Sequence, residues 1–324
     1  MQYRRLGNSG LRLSEIGLGG WLTFGSVHDE RSGREVMDRA FACGVNFFDT
    51  ANVYAAGACE TMWGKLLAAY PRSSYVLATK VYFPMGDGPN ERGLSRKHIM
   101  EQCEASLRRL QTETIDLYQC HRFDDTTPLE ETLRAMDDLV RQGKIHYWGF
   151  SCWPAREIRR AFEICGERWY APVSSQPHYN MLLRDLEVEV MPACRELGVG
   201  QVIFCPLEQG LLTGKYKPGQ PLPPGSRAGD DRQNAFIAER VSNQRLLKHV
   251  DRLHEVADEA DCTLGQLALA WILRRPEITS CIVGATRPGQ IEENAAASGI
   301  ELNEGQLARI DEIILPVTFS DDYE

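Results

Sequence analysis

With 324 residues, 43% hydrophobic and 25% charged, the chain has the make-up of an ordinary globular protein, read here as one domain spanning 1–324. Its net charge of −9 argues against nucleic acid as a partner, although a local cation cluster can still hold a small anion. No apolar run approaches the roughly 18 residues a membrane span needs, and "MQYRRLGNSG" lacks the apolar core of a signal peptide.

The N-terminal "YRRLGNSGLRLS" places a Gly-Asn-Ser-Gly turn between two short segments and predicts a β-hairpin. Short apolar runs then alternate with amphipathic stretches. "IGLGG" leads to a helix through "EVMDRAFACG", and "VNFFD" to one through "CETMWGKLLAAY". "YVLATK" precedes "SRKHIMEQCEASLRRL", where Ser95 predicts an N-cap. "IDLYQCH" precedes "LEETLRAMDDLVRQG", "HYWGFS" precedes "PAREIRRAFEIC", and "PVSSQ" precedes "LEVEVMPACRELG". "GQVIFCPL" runs into a long insertion, "TGKYKPGQPLPPGSRAGDDRQN", and then a helix with Leu246, Leu247, Val250, Leu253 and Val256 on one face. "SCIVGA" precedes "PGQIEENAAASG". The ten cysteines are dispersed without paired spacing, as are the seven histidines. That pattern suits reduced thiols in a cytoplasm and predicts no metal centre.

Eight strand–helix units without a composition break predict a closed (β/α)8 TIM barrel. Extra helices are expected after the seventh strand and at the C-terminus. A doubly wound sheet is the alternative, but "GLGGWLTFG" lacks the G-x-G-x-x-G spacing such a sheet usually shows.

Barrel enzymes carry their chemistry at the C-terminal ends of the strands. Those positions here read Asp49, Lys80, His121, Ser151, Gln176, Phe204-Cys205 and Gly284, with Tyr54 on the turn after Asp49. A phenol with an ordinary pKa of about 10 exchanges its proton poorly at neutral pH. An ammonium such as Lys80 beside it is expected to draw that value toward neutrality, with Asp49 as the counter-charge. His121 can orient a substrate oxygen or share the proton. Tyr54 would then protonate a carbonyl oxygen. No side chain in the set can deliver electrons, so a nicotinamide is the expected hydride source. Ser151 and Gln176 could hold its carboxamide and Phe204 offers a flat face. "GATRPGQIEEN" (284–294) opens a helix with Pro288 in its first turn, a ready anion site reinforced by Arg287. Lys215 and Arg227 could close over the same ligand, and Trp21, Tyr82 and Phe83 could line a pocket. Each residue also has a structural reading: Asp49 as a helix cap, Tyr54 as a half-buried aromatic, Cys152 and Cys205 as small buried hydrophobes, Trp148 and Trp271 as core.

"FFDTANVY", "LATK", "YQCHR", "SSQPHYN", "CPLEQGLLTGKY" and "GATRPGQIEEN", in this order along the chain, resemble the aldo-keto reductases. The nearest-looking branch holds bacterial reductases and the β subunits of voltage-gated potassium channels. The resemblance implies NADPH-linked reduction of a small-molecule aldehyde or ketone, with Asp49, Tyr54, Lys80 and His121 as the tetrad and Tyr54 as the acid. It implies nicotinamide contacts from Ser151, Gln176 and Phe204, and includes Trp21 and Gly284 among the cofactor residues. Backbone and pyrophosphate contacts fall on Pro206, Leu207 and Lys215, and a covering loop on Ser226 and Arg227. Thr286, Arg287 and Gln290 match the 2′-phosphate group, and Glu293 and Asn294 the adenine contacts. Cys152 stands where the family often has Asn or Arg. Gln290 replaces an arginine common in the family, so a preference for NADPH rests mainly on Arg287 and use of NADH stays open. Two alternatives remain at this point: a barrel aldolase with Lys80 as Schiff-base nucleophile, and an NADPH-binding partner subunit with little turnover. The channel-subunit pattern tends to lack the histidine found here at 121.

Overall fold

The structure, a computed structural model, describes residues 1–230 and 234–320. Strands β1 (Tyr3–Arg5) and β2 (Arg12–Ser14) form the expected antiparallel hairpin. Eight further strands follow: β3 (Ile16–Gly19), β4 (Phe47–Asp49), β5 (Val76–Val81), β6 (Ile115–Cys120), β7 (Ile145–Ser151), β8 (Ser174–Gln176), β9 (Gly200–Ile203) and β10 (Ile278–Val283). They pair in parallel and close through β10 against β3. The chain is therefore a (β/α)8 barrel, and the doubly wound alternative is excluded.

The outer layer comprises α1 (Glu30–Ala42), α2 (Ala58–Leu67), α3 (Arg96–Leu110), α4 (Leu129–Arg141), α5 (Ala155–Cys165) and α6 (Val190–Leu197). After β9 come the short α7 (Ala238–Ser242), α8 (Gln244–Glu259) and α9 (Leu264–Leu273); α10 (Pro288–Ala295) and α11 (Glu304–Ile314) complete it. Ser95 caps α3 as expected, accepting from the His98 amide. The five apolar residues singled out on α8 are all buried. Two boundaries differ from the sequence reading. Helix α1 begins at Glu30 rather than Glu35, because Asp29 accepts from the Ser32 amide and starts the helix inside a polar stretch. The stretch before α6 opens as a 3-10 turn at Asp185–Glu187, and the α-helix starts only at Val190. Residues 231–233, at the end of the insertion, lie outside the described residues. Among the described residues no helix is long and apolar enough to cross a membrane.

Strand geometry explains why the polar strand ends converge. Successive side chains alternate between faces, and the barrel interior holds Phe47, Val76, Ala78, Leu117, Val202 and Ile282, with Leu6 and Leu13 of the hairpin packed against them. Two residues further along each strand, on the same inward parity, stand Asp49, Lys80, Gln119, Phe204 and Gly284. The opposite parity, including Phe48, Leu77, Tyr118, Trp148 and Phe150, packs under the helices. Trp148 and Trp271 are core residues, each 1% exposed.

The turn that carries Tyr54 is strained. Ala55 (φ 48°), Ala56 (φ 51°) and Gly57 (φ 90°) are consecutive left-handed residues. A Cβ on Gly57 would also lie 2.9 Å from Cδ of Arg109. Gly57→Ala should therefore lower unfolding stability by about 1–2 kcal/mol, whereas Ala56→Gly should not destabilise; urea denaturation of the two variants checks this.

Candidate active site

Lys80, 0% exposed, is the centre of the strand-end cluster. Its Nζ donates to Asp49 Oδ2 (2.6 Å), Thr50 O (2.8 Å) and the Tyr54 hydroxyl (3.4 Å). Three acceptors match the three protons of an ammonium. Asp49 Oδ1 accepts from Gln176 Nε2 at 2.9 Å and from Gln119 Nε2 at 3.5 Å. Burial raises the Asp49 carboxyl pKa and lowers that of the Lys80 ammonium, while the ion pair opposes both shifts.

The Tyr54 hydroxyl accepts from Lys80, which leaves its own O–H to donate elsewhere. Lys80 Nζ also lies 5.0 Å from the Tyr54 ring centre. Contrary to the sequence expectation, the phenol is not drawn toward neutrality. Its pKa lies well above 10, first through burial and then through the charges of Asp49, Cys59 and Cys205. The main physical reason is burial of the phenol, and the negative charge of Asp49, 2.6 Å from the ammonium, adds to it by opposing the field of Lys80. His121 stands edge-on to Tyr54, with ring centroids 5.8 Å apart. Burial, then Lys80 and Arg122, hold it well below an ordinary histidine pKa, so it is neutral. Its buried Nδ1 has no hydrogen-bond partner. Phe83 packs edge-on against His121 at 4.8 Å, and Tyr82 against Phe83 at 5.2 Å, so two of the expected pocket residues lie beside the tetrad. Trp21 is half-buried on the loop after β3.

Ser151 and Gln176 are neighbours across β7 and β8, and Ser151 Oγ donates to the Gln176 carbonyl at 2.7 Å. Phe204 is half-buried, one residue beyond β9. Pro206 is buried and Leu207 half-buried. Cys152 (φ 53°) and Cys205 (φ 51°) are half-buried on left-handed backbone, not the buried hydrophobes expected. Strand-end turns expose side chains that a position inside a strand would cover.

A second cluster lies on the insertion. A Cβ on Gly210 would meet Lys215 Nζ at 2.7 Å, and Arg227 donates to Gln209 Oε1. Partial burial lowers the pKa of both cations, and the charge of Arg227 lowers that of Lys215 further, although Lys215 as a whole residue is exposed. Neither has a carboxylate partner among the described residues. The nearby Ser226 Oγ is buried with its hydrogen bond unmade. Two uncompensated cations and an orphaned hydroxyl have the chemistry of an anion site.

At the far side, Gly284 is exposed just past β10, and Arg287 is the exposed N-cap of α10 with Pro288 at its first position. Gln290 Oε1 accepts from the Thr286 amide (2.7 Å) and hydroxyl (3.2 Å), so it organises this turn. Asn294 is buried. Glu293 faces α9, accepting from Thr263 Oγ1 at 3.1 Å. His28 joins the first loop to this region, its Nε2 2.9 Å from the Ala285 carbonyl.

Comparison with known proteins gives this arrangement its family. The aldo/keto reductase family model matches residues 15–315. The chain belongs to the aldo/keto reductase family. Relatives from Arabidopsis thaliana (41% identical; 92% of this chain, 91% of theirs) and rice (40%; 92% and 91%) are each named "probable voltage-gated potassium channel subunit beta". A Schizosaccharomyces pombe relative (40% identical; 96% and 93%) is likewise provisionally named a channel β subunit.

Several residues of this family member were not marked by the sequence. Gln119 was legible as a polar residue inside the apolar strand "IDLYQC", two before His121. His178, Asn180 and Glu208 form a buried cluster behind Phe204 that no spacing rule connects. Arg122 donates to the His121 carbonyl at 2.7 Å and to Ser151 Oγ at 3.4 Å. It follows His121 directly and lies one position past the strand-end residues of the apolar pattern.

Lys80→Met would leave the Asp49 carboxylate buried with amide donors only, and should cost about 3–5 kcal/mol of stability. Adding Asp49→Asn should recover much of that loss, so a denaturation double-mutant cycle should show coupling above about 1 kcal/mol.

Proposed function

We propose that the protein is an NADP-dependent reductase of aldehydes or ketones. The observation that carries this reading is the Tyr54 hydroxyl, which accepts from Lys80 Nζ at 3.4 Å and keeps its own proton beside a neutral His121. When bound, a nicotinamide supplies the hydride that reduces the carbonyl carbon. Tyr54 donates its proton to the carbonyl oxygen as negative charge develops there. Lys80, held by Asp49, then balances the phenolate that remains. His121 orients the carbonyl oxygen without competing for the proton, because it stays neutral. Phe83 and Tyr82 shield this corner from water.

The residues present fit a dinucleotide. Ser151 and the free Oε1 side of Gln176 would meet the carboxamide, and Phe204 would stack on the ring. Pro206 and Leu207 would pass alongside, and Lys215, Ser226 and Arg227 would hold the pyrophosphate from the insertion. Gly284 and the first turn of α10 offer backbone approach, with Thr286, Arg287 and Gln290 toward a 2′-phosphate and Asn294 and Glu293 toward the adenine. Trp21 borders the nicotinamide end. Because Gln290 spends its oxygen on Thr286, discrimination of NADPH from NADH falls to the charge of Arg287.

The names of the relatives favour a second reading, an NADPH-binding partner subunit of a membrane channel. The intact proton-donating set weighs toward turnover, and a panel of aldehydes and ketones with NADPH and NADH separates the two. Tight NADPH binding with no reduction of any member selects the partner subunit. The ion pair on Lys80 weighs against a Schiff-base aldolase, since a nucleophilic amine must be unprotonated and accessible.

Tyr54→Phe should cut turnover by about 10²-fold or more while NADPH fluorescence titration gives a nearly unchanged Kd; near-wild-type turnover would remove Tyr54 as the acid. Because the phenol pKa is held above its ordinary value, carbonyl reduction should stay level through neutral pH. It should fall only as Tyr54 loses its proton above about pH 10. Alcohol oxidation needs the phenolate and should rise with pH over the same range. A steady-state pH profile in both directions checks the pair.

A further inference from the structure

The 205–210 loop joins the ring of Phe204 to the cations of the insertion, and its backbone is strained. Cys205 (φ 51°), Glu208 (φ 46°) and Gln209 (φ 56°) are left-handed without being glycine, and Gly210 (φ 91°) follows them. Left-handed residues of this kind cost on the order of 1 kcal/mol each and persist only where their surroundings over-determine them. The determining group here is a carboxylate. Glu208 is 0% exposed, and both oxygens are used. Oε2 accepts from Asn180 Nδ2 at 2.6 Å and lies 2.9 Å from His178 Nε2, while Oε1 accepts from Arg240 on α7. Asn180 Nδ2 also reaches the Cys205 carbonyl at 3.2 Å.

His178 and Phe204 stack with ring centroids 5.0 Å apart and planes at 27°, and their backbones form a parallel bridge. The imidazole thus covers one face of the Phe204 ring, leaving a flat ligand the other. On its other flank the loop reaches the insertion again, because Gln209 Oε1 accepts from Arg227.

We propose that Glu208 is a positioning residue that fixes the Phe204 ring and the strained 205–210 loop for dinucleotide binding, and couples both to α7 through Arg240. This rests on the cofactor reading above. The carboxylate is surrounded by donors alone, so an amide of the same shape would turn its own N–H groups against one of them.

The test compares Glu208→Gln and His178→Ala with wild type by NADPH fluorescence titration and by amide hydrogen exchange in cofactor-free protein. Glu208→Gln should raise the NADPH Kd at least about tenfold, with turnover at saturating NADPH within about threefold of wild type. Exchange should quicken over 205–210 and 238–242 together. His178→Ala should shift Kd the same way by less, with faster exchange confined to 204–210. Unchanged Kd and unchanged exchange in Glu208→Gln overturn the proposal, as does faster exchange in one segment without the other. If Glu208→Gln does not fold, His178→Ala decides whether the cluster positions the ring and loop: a raised Kd with faster exchange over 204–210 supports the proposal, and an unchanged Kd with unchanged exchange there overturns it. If wild type itself fails to bind NADPH, the cofactor reading fails, and the exchange measurement still decides whether Glu208 holds the loop to α7.

Discussion

A fully buried ammonium is tolerated only with a counter-charge and acceptors for its remaining protons, and the site is arranged around meeting that demand for Lys80. Asp49 and the Thr50 carbonyl come from the end of the neighbouring strand, and the Tyr54 hydroxyl supplies the third acceptor. Asp49 must itself be satisfied, which draws in Gln176 and Gln119 from two further strands. One buried charge thereby organises four strands and one turn. Burial and the negative charge of Asp49 together hold the phenol protonated, and the ammonium, paired with that aspartate, does not reverse them.

A second buried pair supports the same corner from outside. Glu60 on α2, 0% exposed, accepts from Thr79 Oγ1 and from Arg109 Nε, each at 2.6 Å. Thr79 precedes Lys80 and points to the other face of β5, while Arg109 packs against Gly57 at the end of the Tyr54 turn. The strand carrying the lysine and the turn carrying the tyrosine are thus tied to one carboxylate. Such a tie keeps an unfavourable backbone in place, since left-handed alanines would otherwise relax.

The anion cluster on the insertion follows different physics. Its cations lack acidic partners among the described residues, and the repulsion between Lys215 and the half-buried Arg227 goes unrelieved in the absence of a ligand. The Asp49–Lys80 pair is internally neutralised, whereas the Lys215–Arg227 region carries positive charge without a carboxylate partner among the described residues. On the proposed function, a dinucleotide phosphate would complement the second region and leave the first free to act on a carbonyl.

Much of the barrel was legible in order along the chain because strand period and helix period are local properties, readable as "YVLATK" before "SRKHIMEQCEASLRRL". The inward placement of Asp49, Lys80 and Phe204 follows from the same alternation once closure is granted. Other features were invisible locally. The start of α1 depended on one Asp29 hydrogen bond, and the exposure of Cys152 and Cys205 on turn geometry. The direction of the Tyr54 shift required knowing that the phenol is buried and that Asp49 sits closer to the ammonium than the phenol does. The Glu208 cluster joins residues from three separate segments, a conjunction no spacing announces. Sequence alone determined the eight-fold alternation and the identity of the strand-end side chains, because both are carried by neighbouring residues. Distances between charges were decided only by closure of the barrel, because electrostatic effects depend on separations that chain order does not contain.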